Sequence, residues 1–272
     1  MKILFVTDLH GDTRKYDRLF KKAQEFHADA VVNCGDMLPK TGDLFKQDRF
    51  ITGHLERHFA QFNSSGIYYL CYLGNDDLRI FDELFETTCG KYPFIVNLAQ
   101  RRFDISGFEF VGMNWVVDYP FRLKDRCRMD TKDYVFQGQF GKGVLSAPDG
   151  FKELDDWFTY ARTLPTIEDE LNNLVRPDNM SKSIYVVHMP PYGLGLDKCG
   201  HGEEVGSKAL YNFIREQQPL LSLHGHIHES PEVSGRWHTR LGSTICIQPG
   251  QMAPFTYVTI DLKSMRIGRH VE

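Results

Sequence analysis

Five short polar clusters stand out along the 272 residues: Asp8-Leu9-His10-Gly11, Gly35-Asp36, Gly74-Asn75-Asp76-Asp77, His188-Met189-Pro190-Pro191 and His224-Gly225-His226-Ile227-His228. Carboxylate, imidazole and one amide oxygen make a mixed N/O donor set, which suits Mn, Fe or Zn better than Mg or Ca. The glycines beside them allow sharp turns and close approach of backbone to a bound anion. Each cluster also has a plainer explanation. Asp-x-His commonly ends strands and caps turns, and Gly-Asp is an ordinary turn dipeptide. Asn75 suits a left-handed turn position, and His188 alone reads as a core histidine. His226 and His228 are stronger, because residues i and i+2 of an extended segment share one face. What decides for chemistry is the joint occurrence of all five clusters, in order, each following a strand-like run.

Those runs are the elements that must position the clusters. Ile3 to Thr7 reads as a strand, followed by Tyr16, Leu19, Phe20 and Ala23 at helical spacing. Ala30 to Cys34 is a second strand. Ile51, Leu55, Phe59 and Phe62 mark a helix, Ile67 to Leu73 a third strand, and Leu78, Phe81, Leu84 and Phe85 another helix. This alternation implies βαβ units and a largely parallel sheet covered by helices, with ligand sites gathered just beyond the strand ends. The middle is less regular. Phe103 to Phe110, centred on Ser106-Gly107, suggests a hairpin, and Phe151 to Val175 a helix interrupted at Pro165. Alternation returns with a strand at Ile184 to Val187, a helix capped by Ser207 and a strand at Leu220 to Leu223. Short antiparallel strands then run on to Thr256 to Asp261. The expected organisation is one mixed α/β domain over 1–272 with an insertion around 114–180.

The bulk numbers narrow the function classes. Hydrophobic residues make up 42% and charged residues 25%, as in ordinary globular proteins. A net charge of −4 gives no global attraction for nucleic acid. The opening Met1 to Val6 is too short an apolar run for a signal peptide or membrane helix, and the six scattered cysteines contain no Cys-x-x-Cys pair. A reducing, cytoplasmic setting is expected, with no membrane or nucleic-acid partner; homo-oligomerisation is left open.

Asp-x-His, Gly-Asp, Gly-Asn-x-[Asp/Glu], a lone His and Gly-His-x-His, spread in that order from residue 8 to 228, resemble the calcineurin-like metallophosphoesterase superfamily. Gly225 to Glu229 and the later Pro249-Gly250 are similar to its small bacterial and archaeal members. The resemblance implies an α/β fold: a four-layer α/β/β/α sandwich with two central mixed sheets and two divalent metal ions (Mn, Fe or Zn) at their edge. It implies Asp8, His10 and His228 on the first metal, Asn75, His188 and His226 on the second, and Asp36 bridging both. The implied activity is hydrolysis of a small phosphoester, a nucleotide phosphodiester for example, by a hydroxide held between the ions, whose acidity the metals raise. A protein phosphatase is the nearest enzymatic alternative, and a metal-binding interaction module with little turnover the alternative from another class.

One departure bears on catalysis. Family members usually carry His after the Asn, where it protonates the leaving group or steadies the transition state; here that position is Asp76, which nearby cations would keep ionised. His224 and His201 are the candidate replacements, His201 because it lies in the Gly-rich segment Gly193 to Gly206. Arg122, Lys124, Arg126 and Arg128 fall at every second position. In an extended segment they would line one face, as a clamp for a distal anion or as a solvated edge guarded against self-pairing. Trp115, Tyr119, Phe121 and Tyr192 are candidates to stack on a base, although aromatics more often pack.

Overall fold

The strands Ile3–Thr7 and Ala30–Cys34 expected from sequence are nearly all apolar, which requires cover on both faces. The computed structural model, which describes residues 1–272, supplies that cover. Strands β1 (Lys2–Val6), β2 (Ala30–Asn33), β3 (Tyr68–Cys71) and β4 (Ile95–Asn97) pair in parallel, in that order. Alternate residues of β1 separate the two faces. Leu4 and Val6 pack under helices with Leu19, Phe59 and Phe62, whereas Ile3 and Phe5 pack inward against Phe110, Ile184 and Leu221. The helices on the outer face include Thr13–Phe26, capped by Asp12, Glu56–Ser64 and Asp82–Cys89.

The second sheet starts with the expected hairpin, β5 (Arg102–Ile105) and β6 (Phe108–Met113), paired antiparallel with Ile105 opposite Phe108. Ser106 and Gly107 both have positive φ, 52° and 79°, as a two-residue hairpin turn with right-handed strand twist demands. Between β6 and its parallel neighbour β11 (Ser183–Val187) the chain makes a long excursion. It contains the short parallel pair β7 (Val116–Val117) and β8 (Cys127–Arg128), and the hairpin β9 (Val144–Ala147) and β10 (Gly150–Glu153). The sheet continues through β12 (Leu221–Leu223) to the neighbours β13 (His238–Leu241) and β14 (Thr244–Ile247), giving the order β13-β14-β12-β11-β6-β5. Finally β15 (Thr256–Asp261) returns to pair antiparallel with β1, and β16 (Arg266–Val271) forms the edge beyond it. Helices Trp157–Ala161, Ile167–Asn173 and Lys208–Gln217 cover the outer face of this sheet. The result is four layers, helices outside and two mixed six-stranded sheets within.

Two expectations change. The helix expected from Phe151 starts only at Trp157, because Phe151 to Glu153 pair with β9 and the Asp156 carboxylate caps the helix through the Thr159 N–H. A second cap, the Thr166–Asp169 capping box, restarts the helix after Pro165. The last strand, Arg266–Val271, is one more than the alternation indicated. No helix is long and apolar enough to cross a membrane.

Candidate metal centre

Every cluster sits where a parallel strand ends. Asp8 and His10 follow β1, Asp36 follows β2, Asn75 to Asp77 follow β3, His188 follows β11, and His226 and His228 follow β12. The loops are stitched to one another by backbone bonds. The Asp8 N–H donates to the Gly35 carbonyl (3.0 Å), His10 N–H to the Asp36 carbonyl (2.9 Å) and Gly225 N–H to the His188 carbonyl (2.9 Å). The His226 N–H reaches across the sheets to the Asp8 carboxylate, 3.1 Å from Oδ2.

The backbone is strained here. Asp8, His10, Asp36 and His226 all have positive φ, 54°, 44°, 51° and 69°. Such values are uncommon for residues with a Cβ and gather at functional sites. Close approach is also required: a Cβ on Gly74 would overlap the Asp36 carboxylate, and one on Gly225 would overlap Thr7 Oγ1 and Asp8 Oδ2.

The seven side chains fall into two sets. Asp8, His10, Asp36 and His228 each bring a ligand atom within 4.8 Å of the others. The His10 and His228 Nε2 atoms are 3.0 Å apart, and His228 Nε2 is 3.3 Å from Asp8 Oδ1. In the second set, Asn75 Oδ1 stands 2.9 Å from His188 Nε2 and 2.7 Å from His226 Nδ1. Asp36 Oδ2 faces both sets, 3.9 Å from His10 Nε2 and 3.5 Å from His188 Nε2. The His188 Nδ1–H donates to the Cys34 carbonyl, which turns Nε2 towards Asn75 and Asp36. Fixing a ring through its second nitrogen is the usual support of a metal-ligating histidine.

The electrostatics fit cations. Burial alone would raise the Asp8 carboxyl, but His228 and His188 outweigh it and hold it at about 2. Asp36 likewise stays well below the usual carboxylate range, burial being overcome by His188 and His10. Burial pushes His10 down to about 4 and His226 down to about 3, which leaves both imidazoles neutral with lone pairs to offer. Against burial, Asp36 raises His188 well above its ordinary value and Asp8 raises His228, so the buried carboxylates ask for positive charge.

Around the set, Lys40 escaped the sequence reading, whereas Asp77 and Tyr119 were named in it without the contacts they make here. Asp77 is buried, and its carboxylate accepts from the N–H groups of Met37 (2.9 Å), Leu38 (2.8 Å) and Gly74 (2.7 Å), tying the second cluster to the third. Lys40, exposed at the end of the Asp36 loop, adds positive charge near His10, Asp76 and His228. The Tyr119 ring lies 5.7 Å from that of His226. A Lys after a Gly-Asp turn was a signal available in the sequence; the Tyr119 contact, made across 107 positions of chain by tertiary packing, was not.

Other sequence-based candidates are placed differently. His224 is fully buried, and its Nδ1–H is shared between the carbonyls of Val187 (3.0 Å) and Met189 (3.1 Å), so it is closed to substrate. His201 is exposed and forms no hydrogen bond, although its loop is tied beside the metal motif where the Gly200 N–H donates to Glu229 Oε1 (3.1 Å). Asp76 lies at the rim, its Oδ1 accepting from Asn75 Nδ2 (3.0 Å) and its Oδ2 3.9 Å from His10 Nδ1. Burial and the Asp36 charge push its carboxyl up to about 7 against the opposing pull of Lys40, a shift that dications would oppose. The basic run is neither clamp nor solvated edge. Lys124 pairs with Asp118, Arg126 with Asp82 and the Gly74 carbonyl, and Arg128 with Glu170, all three being buried; only Arg122 is exposed.

The family sequence model of calcineurin-like phosphoesterases matches residues 1–230, which contain every one of these ligand candidates. The chain belongs to the calcineurin-like phosphoesterases. A Thermus thermophilus protein of known structure shares 17% identity over 99% of this chain and 98% of its own, with a TM-score of 0.60. A dimetal phosphatase from Danio rerio shares 12% identity over 100% of this chain and 95% of its own, with a TM-score of 0.54. At these identities the likeness is one of fold. No curated protein matches the chain.

Proposed function

We propose that this calcineurin-like phosphoesterase hydrolyses a small phosphoester, a nucleotide phosphodiester being the class that fits best, with two divalent ions of Mn, Fe or Zn. The observation behind the proposal is the convergence of seven donor side chains in two sets that share Asp36. Asp8, His10 and His228 would hold one ion, Asn75, His188 and His226 the other, and Asp36 both. Bound there, the ions supply positive charge for the phosphoryl oxygens and lower the pKa of a coordinated water.

The remaining residues prepare that arrangement. The Thr7 hydroxyl donates to Asp8 Oδ2 (2.7 Å) and steers Oδ1 towards His228. The Asp76 N–H donates to Asp36 Oδ1 (2.9 Å) and leaves Oδ2 for the two sets. Lys40 attracts a phosphate that four nearby carboxylates, Asp8, Asp36, Asp76 and Asp77, would otherwise repel. Asp76 is bonded to Asn75 and faces His10, so it serves the ligands of both sets rather than a leaving group. Substrates with good leaving groups should therefore be preferred. All six cysteines are free, in keeping with a reducing, cytoplasmic setting.

Asp76 also favours a second reading, a metal-holding interaction module with little turnover. Elemental analysis of the loaded protein and a Mn-supplemented screen of monoesters, diesters and nucleotides separate the two. Two ions per chain with diester cleavage, both reduced in Asp36→Asn, support the enzyme. Two ions without turnover support the module, and a maximum of one ion refutes the dinuclear site.

A further inference from the structure

Beyond the metal rim runs a line of aromatic rings. The Tyr119 ring, 5.7 Å from that of His226, is followed by Phe121 at 5.8 Å, and Phe121 by Phe140 at 5.4 Å in an edge-to-face arrangement. Phe121 is 61% exposed and Phe140 71% exposed. Large apolar side chains left open in a contiguous line, starting at a functional site, mark binding surface.

The line is held on a fixed frame. The Tyr119 hydroxyl donates to the Leu123 carbonyl (2.9 Å), and the Lys124 ammonium donates to the Tyr119 carbonyl and to Asp118. The Phe140 N–H donates to the Pro120 carbonyl (2.8 Å), and the Gln139 amide to Asp118 Oδ2 (3.1 Å), so the segment bearing Phe140 is fastened to the one bearing Phe121. Because Tyr119 and Phe121 are tilted by 55° and Phe121 and Phe140 by 83°, a planar group stacks on the face of one ring and meets the edge of the next.

The Trp115 ring is covered by the Arg128 guanidinium, 3.8 Å from its centre. Tyr119 and Tyr192 each have an ammonium about as near, Lys124 at 5.0 Å and Lys208 at 5.1 Å, but only Tyr119 also meets the His226 ring and continues into Phe121. A long acyl chain would gain little from the line, because burying a flexible chain needs walls on several sides and three rings on an open surface provide one.

We propose that Tyr119, Phe121 and Phe140 form a stacking platform for the base of a nucleotide whose phosphate sits at the metal rim. The proposal rests on the phosphoester reading above and adds to it the site that selects the organic group.

Calorimetric titration of the Mn-loaded full chain with AMP and with ribose 5-phosphate isolates the base, because the two ligands share phosphate and sugar. The wild type should bind AMP about tenfold more tightly, the effect of ~1.4 kcal/mol of stacking. In Phe121→Ser/Phe140→Ser, both changes being at exposed positions, the ratio should fall close to one. Equal binding of the two ligands by the wild type, or a ratio that survives the double substitution, would overturn the platform. So would octyl phosphate binding more tightly than AMP and losing that advantage in the variant, which would assign the line to an acyl chain. A failure of the hydrolytic reading shows separately, as absent turnover of every ester in the same Mn-loaded wild type while the AMP preference persists.

Discussion

Replacing Lys124 with Met should destabilise the protein by about 3–5 kcal/mol, the cost of leaving a buried carboxylate without its cation. The figure follows from the surroundings of the pair. Lys124 and Asp118 have 0% side-chain exposure and meet at 2.7 Å, so solvent screens neither charge. Met matches the length of the lysine stem, and little cavity is left. Asp118 keeps the Trp157 indole N–H (2.9 Å) and the Gln139 amide (3.1 Å), two neutral donors that cannot balance its charge. Adding Asp118→Asn removes that charge and should restore about 2 kcal/mol or more, so the double variant ends up more stable than Lys124→Met alone. Urea unfolding of the wild type, both single variants and the double variant measures the coupling, and Michaelis constants for nucleotides are read on the same samples. A loss below about 1 kcal/mol, the value of an exposed pair, together with a raised Michaelis constant, would refute the structural role and return Lys124 to an anion clamp.

Two further outcomes are expected. His58 is 2% exposed, and burial lowers its folded-state pKa from 6.5 to about 3, so the unfolded chain binds the extra proton as pH falls below 6.5. Its share of the stability lost between pH 6.5 and 4.5 is about 2–3 kcal/mol at ~1.4 kcal/mol per pH unit; urea midpoints at both pH values should show His58→Leu losing less than wild type by that amount, and equal losses would refute it. For Asp76→His, rates over phosphodiesters of graded leaving-group pKa, with metal content matched, should rise for alkyl esters by about 10²–10⁴-fold relative to aryl esters, the usual worth of a general acid; an unchanged slope would show that position 76 does not address the leaving group.

What the sequence made legible was whatever depends on short-range pattern. The strands β1 to β3, β11 and β12 are runs of apolar residues ended by Gly, Asp or His, so their existence and the clusters at their ends could be read together. The Ser106-Gly107 turn was legible for the same reason, since two positive φ values select such residues. The tail strand Arg266–Val271 was not, because with Arg266, Arg269 and His270 it lacks an apolar alternation; what makes it a strand is the edge of β15. Helix Trp157–Ala161 started late for a complementary reason, as Phe151 found a partner in Ser146 that no local propensity announces.

The basic run shows where residue type misleads. Alternating Arg and Lys in isolation read as surface, because burying a cation is unfavourable unless a partner is supplied. Here the partners come from distant positions: Arg126 reaches Asp82 and the Gly74 carbonyl, and Arg128 reaches Glu170 across the Trp115 face. The bond to Gly74 links the excursion between β6 and β11 to the loop holding Asn75, while Lys124 fixes Tyr119 beside His226. Arg126 and Lys124 thus link the excursion to one candidate ligand from each sheet's strand ends, and Arg128 braces it from within. The excursion and the candidate metal rim are joined through these contacts, so substitutions within the run should disturb the geometry of the candidate ligands before any contact with substrate.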